Sequence, residues 1–432
     1  MLRLRTLSLL LLLFISCASL AQVKTDATLK EILMKGDHKL LQHMLQHPDS
    51  FRVQIIYTQI NRDKQNRPHF QNYNFNVDSN FYFNPASTVK LPLALLALEK
   101  LNTLGKSNIT KYTSLQVDKN FPWQTPDLVD SSSQSGLPSI AQYIRRALLV
   151  SENDPYNRLY QFVGQQSINR NLHQKGYGST RITRQFLGLS EDQNRHTNSV
   201  RFIGTDGSVL YEQPPAYNTD SFNFKNVFKV GKAYYNKYDS LVNEPIDFTK
   251  VNNLPLEDLQ QILQSALFPQ SVPAKKRFNL TDDDYLFLRQ YLSQYPSETN
   301  YPKYDSAEYY NSYVKFFFRN ESHQMPGSIR VFNKVGWAYG FLIDASYVAD
   351  FENQVEFMLT ATVYVNHDGI LNDDTYEYET EGWPFMYQLG QLIYNYELKR
   401  PRKFKPDLSE FKVQYEHRDI HDTRPVIKSV DN

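Results

Sequence analysis

Apolar residues recur along the chain with two spacings, which predict helices and strands. Helical spacing predicts helices over residues 26–47, 87–104, 140–149, 156–163, 256–267, 282–292 and 382–398. β-Rich segments between turns predict strands over residues 53–60, 69–75, 200–203, 208–212, 329–335, 341–349 and 355–365. Strands at both ends and helices between them predict an α+β fold. We expect one antiparallel sheet built from the N- and C-terminal strands, beside a helical subdomain.

The segment 83–98 is apolar on almost every side, whereas a surface helix would carry a polar stripe. Pro85 before it and Gly105 after it are start and stop signals for a buried helix. Ser87 and Lys90 stand three positions apart and therefore share one helix face, so the amine can reach the hydroxyl. Burying these two polar groups is costly, which makes them candidates for chemistry.

The first 21 residues have the pattern of a secretory signal peptide, with two arginines before the apolar run 9–15 and small residues up to Ala21. We expect cleavage after Ala21. Cys17, the only cysteine, offers lipoprotein anchoring as the alternative. Either reading predicts an exported protein, periplasmic or secreted, with no disulfide and no transmembrane segment in the mature chain.

Composition limits the function classes further. Of the 432 residues, 41% are hydrophobic and 22% charged, as in a soluble globular protein, and the net charge of +1 argues against nucleic acid as a partner.

Residues 22–398 are interpreted as one domain, with polar insertions near 200–248 and 296–325. Residues 399–432 form a charged tail that we expect to be loosely held, with His417 and His421 solvated. The sequence offers no convincing metal site.

Three short motifs carry candidate chemistry. Ser-x-x-Lys occurs at Ser87/Lys90, Ser312/Lys315 and Ser409/Lys412, and only the first pair opens a buried helix. The other two pairs are expected to be solvated surface residues. Ser151-Glu152-Asn153 follows a helix, and Lys334-Val335-Gly336 ends a strand and continues into Trp337. Taken alone, the Ser-x-Asn motif could merely cap a helix, and it recurs at 167–169, as Lys-Val-Gly does at 229–231.

In this order and in these settings the three motifs resemble those of the serine β-lactamase and penicillin-binding protein superfamily, most of all its class A β-lactamase-like branch. The resemblance implies that Ser87 is the nucleophile and becomes an acyl-ester, with Lys90 as its base. It also implies that Ser151 relays a proton beside Lys334. Three residues would bind substrate: Asn153 through its amide, and Gly336 and Trp337 on the strand, the backbone N–H of Trp337 joining that of Ser87 in an oxyanion hole.

The chain departs from the family pattern in three places. Val335 lacks the hydroxyl that usually contacts a substrate carboxylate, and Glu152 stands where the family has Asp. Class A enzymes also carry, on a loop after the second motif, a Glu that activates the deacylating water. The corresponding region, 180–198, offers only Glu191 in a different context. Acylation could therefore proceed while deacylation stays slow.

These observations predict an exported serine hydrolase that forms an acyl-enzyme on Ser87 with a small-molecule substrate, a β-lactam or a related amide, without a cofactor. One alternative is a D,D-peptidase or transpeptidase-like enzyme acting on peptidoglycan-type peptides. Another is a non-catalytic envelope binding protein on the same fold. A Ser-His-Asp hydrolase is disfavoured because the chain has no Gly-x-Ser-x-Gly elbow.

Overall fold

The computed structural model describes residues 24–419 and 421–430. The helices are α1 (Ala27–Leu33), α2 (Lys39–Gln46), α3 (Lys90–Thr103), α4 (Ile140–Leu149), α5 (Asn153–Val163), α6 (Gln165–Gln174), α7 (Leu256–Leu267), α8 (Asp282–Ser293) and α9 (Trp383–Lys399). The strands are β1 (Gln54–Arg62), β2 (Pro68–Phe75), β3 (Ser114–Val117), β4 (Val200–Ile203), β5 (Val209–Gln213), β6 (Lys229–Val230), β7 (Ala233–Tyr235), β8 (Leu241–Val242), β9 (Ile246–Asp247), β10 (Ile329–Ala338), β11 (Phe341–Asp350), β12 (Val355–Tyr364) and β13 (Ile370–Leu371).

A five-stranded antiparallel sheet joins the two ends of the chain, in the order β10-β11-β12-β1-β2. One of its faces packs against α1 and α9, in a core cluster that includes Val335. Helix α2 packs on α9 on the same side of the sheet. The other face packs against α7, and α7 belongs with α3–α6 and α8 to a second and larger cluster. The predicted α+β class and the sheet assembled from both termini are therefore confirmed.

Helix α3 lies in the middle of the helical part, in contact with α4, α5, α6 and α7. Every residue from Lys90 to Leu98 is buried, as its unbroken apolar sequence predicts. The helix is preceded by a 3₁₀ turn, Ala86–Val89, which contacts β10. Ser87 is therefore held at the junction between the sheet and the helical part.

The helical spacing over residues 26–47 corresponds to two helices, α1 and α2, with a break that contains Gly36. The expectation of a loosely held tail is wrong, because Leu408 and Phe411 are buried. The Phe411 ring is fully buried, with ring centroids 4.7 Å from Tyr347 and 5.4 Å from Phe332.

The expectation that Ser312 and Lys315 are solvated is also wrong. Both side chains are buried, and the Lys315 ammonium donates to the carbonyl oxygens of Leu292 and Val331 and to the Asn333 amide oxygen, at 2.6–2.9 Å. Three acceptors offset the cost of burying the amine. Ser409 and Lys412 are exposed, as expected.

The predicted signal peptide, Cys17 included, lies outside the described residues. Within residues 24–419 and 421–430, no helix combines the length and apolar character that crossing a bilayer requires. The domain and insertion boundaries stay predictions.

Candidate active site

The turn before α3 holds Ser87 in a constrained backbone. The Asn84 side-chain oxygen accepts from the Ala86 backbone N–H at 2.9 Å, and the Thr88 backbone N–H donates to the Pro85 carbonyl at 3.0 Å. Ala86 has a φ of +43°, in the left-handed region that L residues rarely adopt. Such strain needs surrounding structure to hold it and is found preferentially at functional sites. Ser87 itself is half-buried, so its hydroxyl can be reached from solvent.

The Lys90 amine connects the first two motifs. Its Nζ lies 2.8 Å from Ser87 Oγ and 2.8 Å from Asn153 Oδ1. It also donates to the Ser151 carbonyl oxygen and lies 3.3 Å from Ser151 Oγ. The structure therefore brings together the four polar residues that the first two motifs predict.

Lys90 is in a setting that favours the neutral amine. The side chain is fully buried, and burial lowers the pKa of Lys90 well below its ordinary value. The nearby cation Lys334 lowers this pKa further, and the carboxylate of Glu152 opposes the shift. A neutral amine can accept the proton of a neighbouring hydroxyl, which a protonated one cannot.

Lys334 brings the third motif to the same point. Its Nζ donates to Ser151 Oγ at 2.8 Å and to the Val335 carbonyl oxygen at 2.7 Å. Burial lowers the pKa of Lys334 to about 7, a shift that Asp344 opposes and Lys315 supports. A row of hydroxyls and amines in hydrogen-bond contact thus runs through the side chains of Ser87, Lys90, Ser151 and Lys334.

Glu152, which stands where the family has Asp, supports the turn at Ser151 through two hydrogen bonds to its carboxylate. One of its oxygens accepts from the Arg146 guanidinium at 2.7 Å, and the other from the Tyr304 hydroxyl at 2.5 Å. Ser151 itself has a φ of +70°. Sequence reasoning missed Tyr304, which comes from one of the predicted insertions, 152 positions away along the chain. No short motif marks so distant a partner.

Gly336 allows strand β10 to approach the Ser87 turn. A Cβ atom at this position would lie 2.8 Å from the Pro85 carbonyl oxygen and 2.9 Å from the Ser87 backbone nitrogen. Trp337 follows it and lines the cleft in front of Ser87. The roles of the Ser87 and Trp337 backbone N–H groups as an oxyanion hole stay a prediction.

Gly336→Ala is expected to separate β10 from the Ser87 turn and to slow acylation about 10²-fold, since misplacement by about 1 Å can have that effect. Overpacking should also cost about 1–3 kcal/mol of unfolding free energy. Gly327→Ala is the matched control, because a Cβ there would have no neighbour within 4 Å. Rates of Ser87 modification and thermal unfolding of both variants check this. Equal rates for Gly336→Ala and wild type would contradict it.

The cleft in front of Ser87 has a volume of about 610 Å³. Five aromatic residues line its walls, namely Phe186, Trp337, Tyr339, Tyr376 and Tyr378. Asn153 and Arg184 add polar groups. Within the described part of the chain, Asp374 is the only carboxylate residue that lines the cleft, and it is exposed.

The loop 180–198 places no carboxylate near Lys90. Glu191 is on the surface, with its carboxylate 3.2 Å from the Lys250 ammonium, and it does not line the cleft. Instead, the ring of Phe186 lies 5.2 Å from Lys90 Nζ. Phe186 is fixed there by stacking on Tyr156 at 4.4 Å and by its backbone N–H, which donates to Asn157. An aromatic ring therefore faces Lys90 from the loop where class A enzymes carry a glutamate.

In the part of the chain that the structure describes, no group of three or more His, Cys, Asp or Glu side chains could hold a metal ion. His417 and His421 are exposed.

Comparison with solved structures returns β-lactamases. They include a β-lactamase from Burkholderia vietnamiensis (12% identity, 84% of this chain and 96% of that chain, TM-score 0.45) and one from Xanthomonas campestris (12%, 86% and 100%, TM-score 0.45). A class A β-lactamase from Clostridium kluyveri is similar at 13% identity over 83% and 98%, with a TM-score of 0.44. No curated protein matches the chain.

Residues 41–211 match the model of the family described as "Beta-lactamase enzyme family". The matched range contains Ser87, Lys90, Ser151 and Asn153, whereas Lys334 lies beyond it. Over residues 41–211 the chain is therefore similar to the β-lactamase enzyme family, which agrees with the resemblance predicted from the first two motifs.

Proposed function

We propose that this protein is an exported serine hydrolase of the class A β-lactamase-like type, which forms an acyl-ester on Ser87 from a β-lactam or a related amide. One observation carries the proposal: a buried amine with a lowered pKa, Lys90, lies 2.8 Å from the hydroxyl of Ser87. A serine hydroxyl is a weak nucleophile at neutral pH and needs an adjacent base of this kind.

The proton path follows the row of polar groups. Ser87 Oγ attacks the carbonyl carbon and gives its proton to Lys90 Nζ. The amide C–N bond then breaks, and the leaving nitrogen takes a proton from Ser151 Oγ, which Lys90 resupplies. Lys334, 2.8 Å from Ser151 Oγ, stabilises the negative charge that develops on this oxygen. Asn153 lies at the cleft, where its amide can bind a substrate amide.

A second candidate function is favoured by Phe186. Hydrolysis of the acyl-ester requires a base for water, and the loop presents an aromatic ring to Lys90 instead of a carboxylate. An acyl-ester that water attacks slowly can still react with an amine, which in its neutral form is a stronger nucleophile than water and loses its proton to Lys90 as the new amide bond forms and the bond to Ser87 Oγ breaks. A D,D-peptidase or transpeptidase-like reaction on peptidoglycan-type peptides is therefore the alternative.

The rate of acylation is expected to rise with pH, because only neutral Lys90 accepts the Ser87 proton, and to fall again as Lys334, whose pKa is lowered to about 7, loses its charge. Since the pKa of Lys90 is lowered well below 10.5, the rise should end well below that pH. Second-order rates of acylation from about pH 5 to about pH 10 measure this. A rate that still climbs about tenfold per pH unit near pH 10 would mean that Lys90 titrates as an ordinary lysine.

Burst kinetics with a chromogenic cephalosporin test the proposed function. We expect a burst of about one product per protein molecule, followed by slow turnover. Ser87→Ala should show no burst. The matched control is Ser409→Ala, which alters another Ser-x-x-Lys motif on the surface and should leave the burst intact. Fast turnover without a burst would contradict slow deacylation. An equal burst in Ser87→Ala would contradict the nucleophile.

A further inference from the structure

Arg184 lies on the cleft wall beside Val251 and Asn252. Its backbone is fixed on both sides: its N–H donates to the Asn252 side-chain oxygen at 3.0 Å, and its carbonyl accepts from the Tyr156 hydroxyl at 2.8 Å. The side chain is half-buried. The loop thus presents this residue to the cleft from a rigid support.

The guanidinium of Arg184 has no protein partner among the described residues. Every other arginine of residues 24–419 and 421–430 donates a hydrogen bond or forms an ion pair. Arg181, three positions earlier on the same loop, illustrates the difference. It donates to the Thr249 carbonyl oxygen at 3.3 Å and stacks on Phe224.

A cationic side chain on a cleft wall, without a protein counter-ion, can pair with a ligand that supplies the negative charge. The cleft itself supplies little, since Asp374, its one lining carboxylate in the described residues, is exposed and forms no ion pair with Arg184. The planar guanidinium matches a carboxylate with two parallel hydrogen bonds. Val335 offers no competing donor, because its side chain is apolar, and it is buried in the core on the other side of the sheet.

We infer that Arg184 binds a carboxylate of the acyl donor and so selects anionic substrates. The inference rests on the proposed function in one respect, namely that the bound compound reacts at Ser87. Arg184 is here a specificity-determining residue, and Lys90 and Ser151 remain the groups that move protons.

A pair of substrates separates the charge from the rest of the molecule: a penicillin with its free carboxylate, and the methyl ester of the same penicillin. Arg184→Gln is expected to lower the second-order rate of acylation by the carboxylate form about 10- to 100-fold, since hydrogen bonds to charged groups contribute about that factor. The rate with the ester should change less than about twofold. Arg184→Lys should restore part of the preference, and Arg181→Gln, the matched control, should keep all of it.

Binding to Ser87→Ala, measured by calorimetry, tests Arg184 without any chemistry. We expect this variant to bind the carboxylate form more tightly than the ester, and the double variant Ser87→Ala/Arg184→Gln to lose that preference. Equal affinity of the two variants for the carboxylate form, or no binding of it to Ser87→Ala, would overturn the inference. If wild type forms no adduct but the Arg184-dependent preference persists, the proposed function fails and the carboxylate site stands.

Discussion

Lys90→Met is expected to lower the rate of acylation of Ser87 about 10²- to 10⁴-fold, the usual contribution of a general base. Methionine has a similar length and suits the buried site, but it cannot accept the Ser87 proton. The loss should be largest at high pH, where Lys90 of the wild type is neutral. It should appear in acylation by any substrate, charged or uncharged, because the base acts on Ser87 and not on the ligand.

Stopped-flow measurement of the cephalosporin burst gives this rate. Lys100→Met is the matched control: Lys100 lies on the same helix, burial lowers its pKa to about 8, and it does not line the cleft. Its variant should acylate at the wild-type rate. Thermal unfolding of both variants separates loss of the base from loss of the fold. An acylation rate within a few-fold of wild type in folded Lys90→Met would contradict the role of Lys90.

Phe186→Glu is expected to accelerate deacylation about 10²-fold or more, by supplying the base that water lacks. The Phe186 ring lies 5.2 Å from Lys90 Nζ and lines the cleft, so a carboxylate at this position would lie beside the amine and the ester on Ser87. The new negative charge should also raise the pKa of Lys90 and move the acid limb of the acylation profile to higher pH.

Phe186→Gln is the control for this change, because it removes the ring and has the shape of glutamate without its charge. Its acyl-enzyme should persist as long as that of the wild type. Steady-state turnover after the burst measures deacylation in all three proteins. If Phe186→Gln accelerates turnover as much as Phe186→Glu, then the ring merely excludes water, and the account of a missing base is wrong.

The sequence predicted the parts of the site that depend on local pattern. An unbroken apolar segment identified the buried helix with Lys90, and three β-rich segments between short turns placed Lys334 on a strand of the antiparallel sheet. These predictions depend only on residues that are close in sequence to Lys90 and Lys334. They also distinguished Ser87 from Ser409, which has a lysine at the same spacing but lies on the surface.

What the sequence could not predict depends on distant partners. Lys315 looks like a surface lysine until three acceptors from distant segments surround its amine. Tyr304 reaches Glu152 across 152 positions, and Phe411 anchors a tail whose composition looks solvated. Phe186 could not be predicted, because the family pattern has a carboxylate on that loop, whereas this loop presents an aromatic ring to Lys90.

The mass of the intact protein after mixing with a penicillin shows whether Ser87 forms an acyl-ester. Because the β-lactam nitrogen stays attached to the opened ring, acylation should increase the mass by that of the whole penicillin. The added mass should map to the peptide that contains Ser87 and should persist after free penicillin is removed. Ser87→Ala should gain nothing. An unchanged wild-type mass, or an adduct that maps elsewhere and survives in Ser87→Ala, would contradict the account.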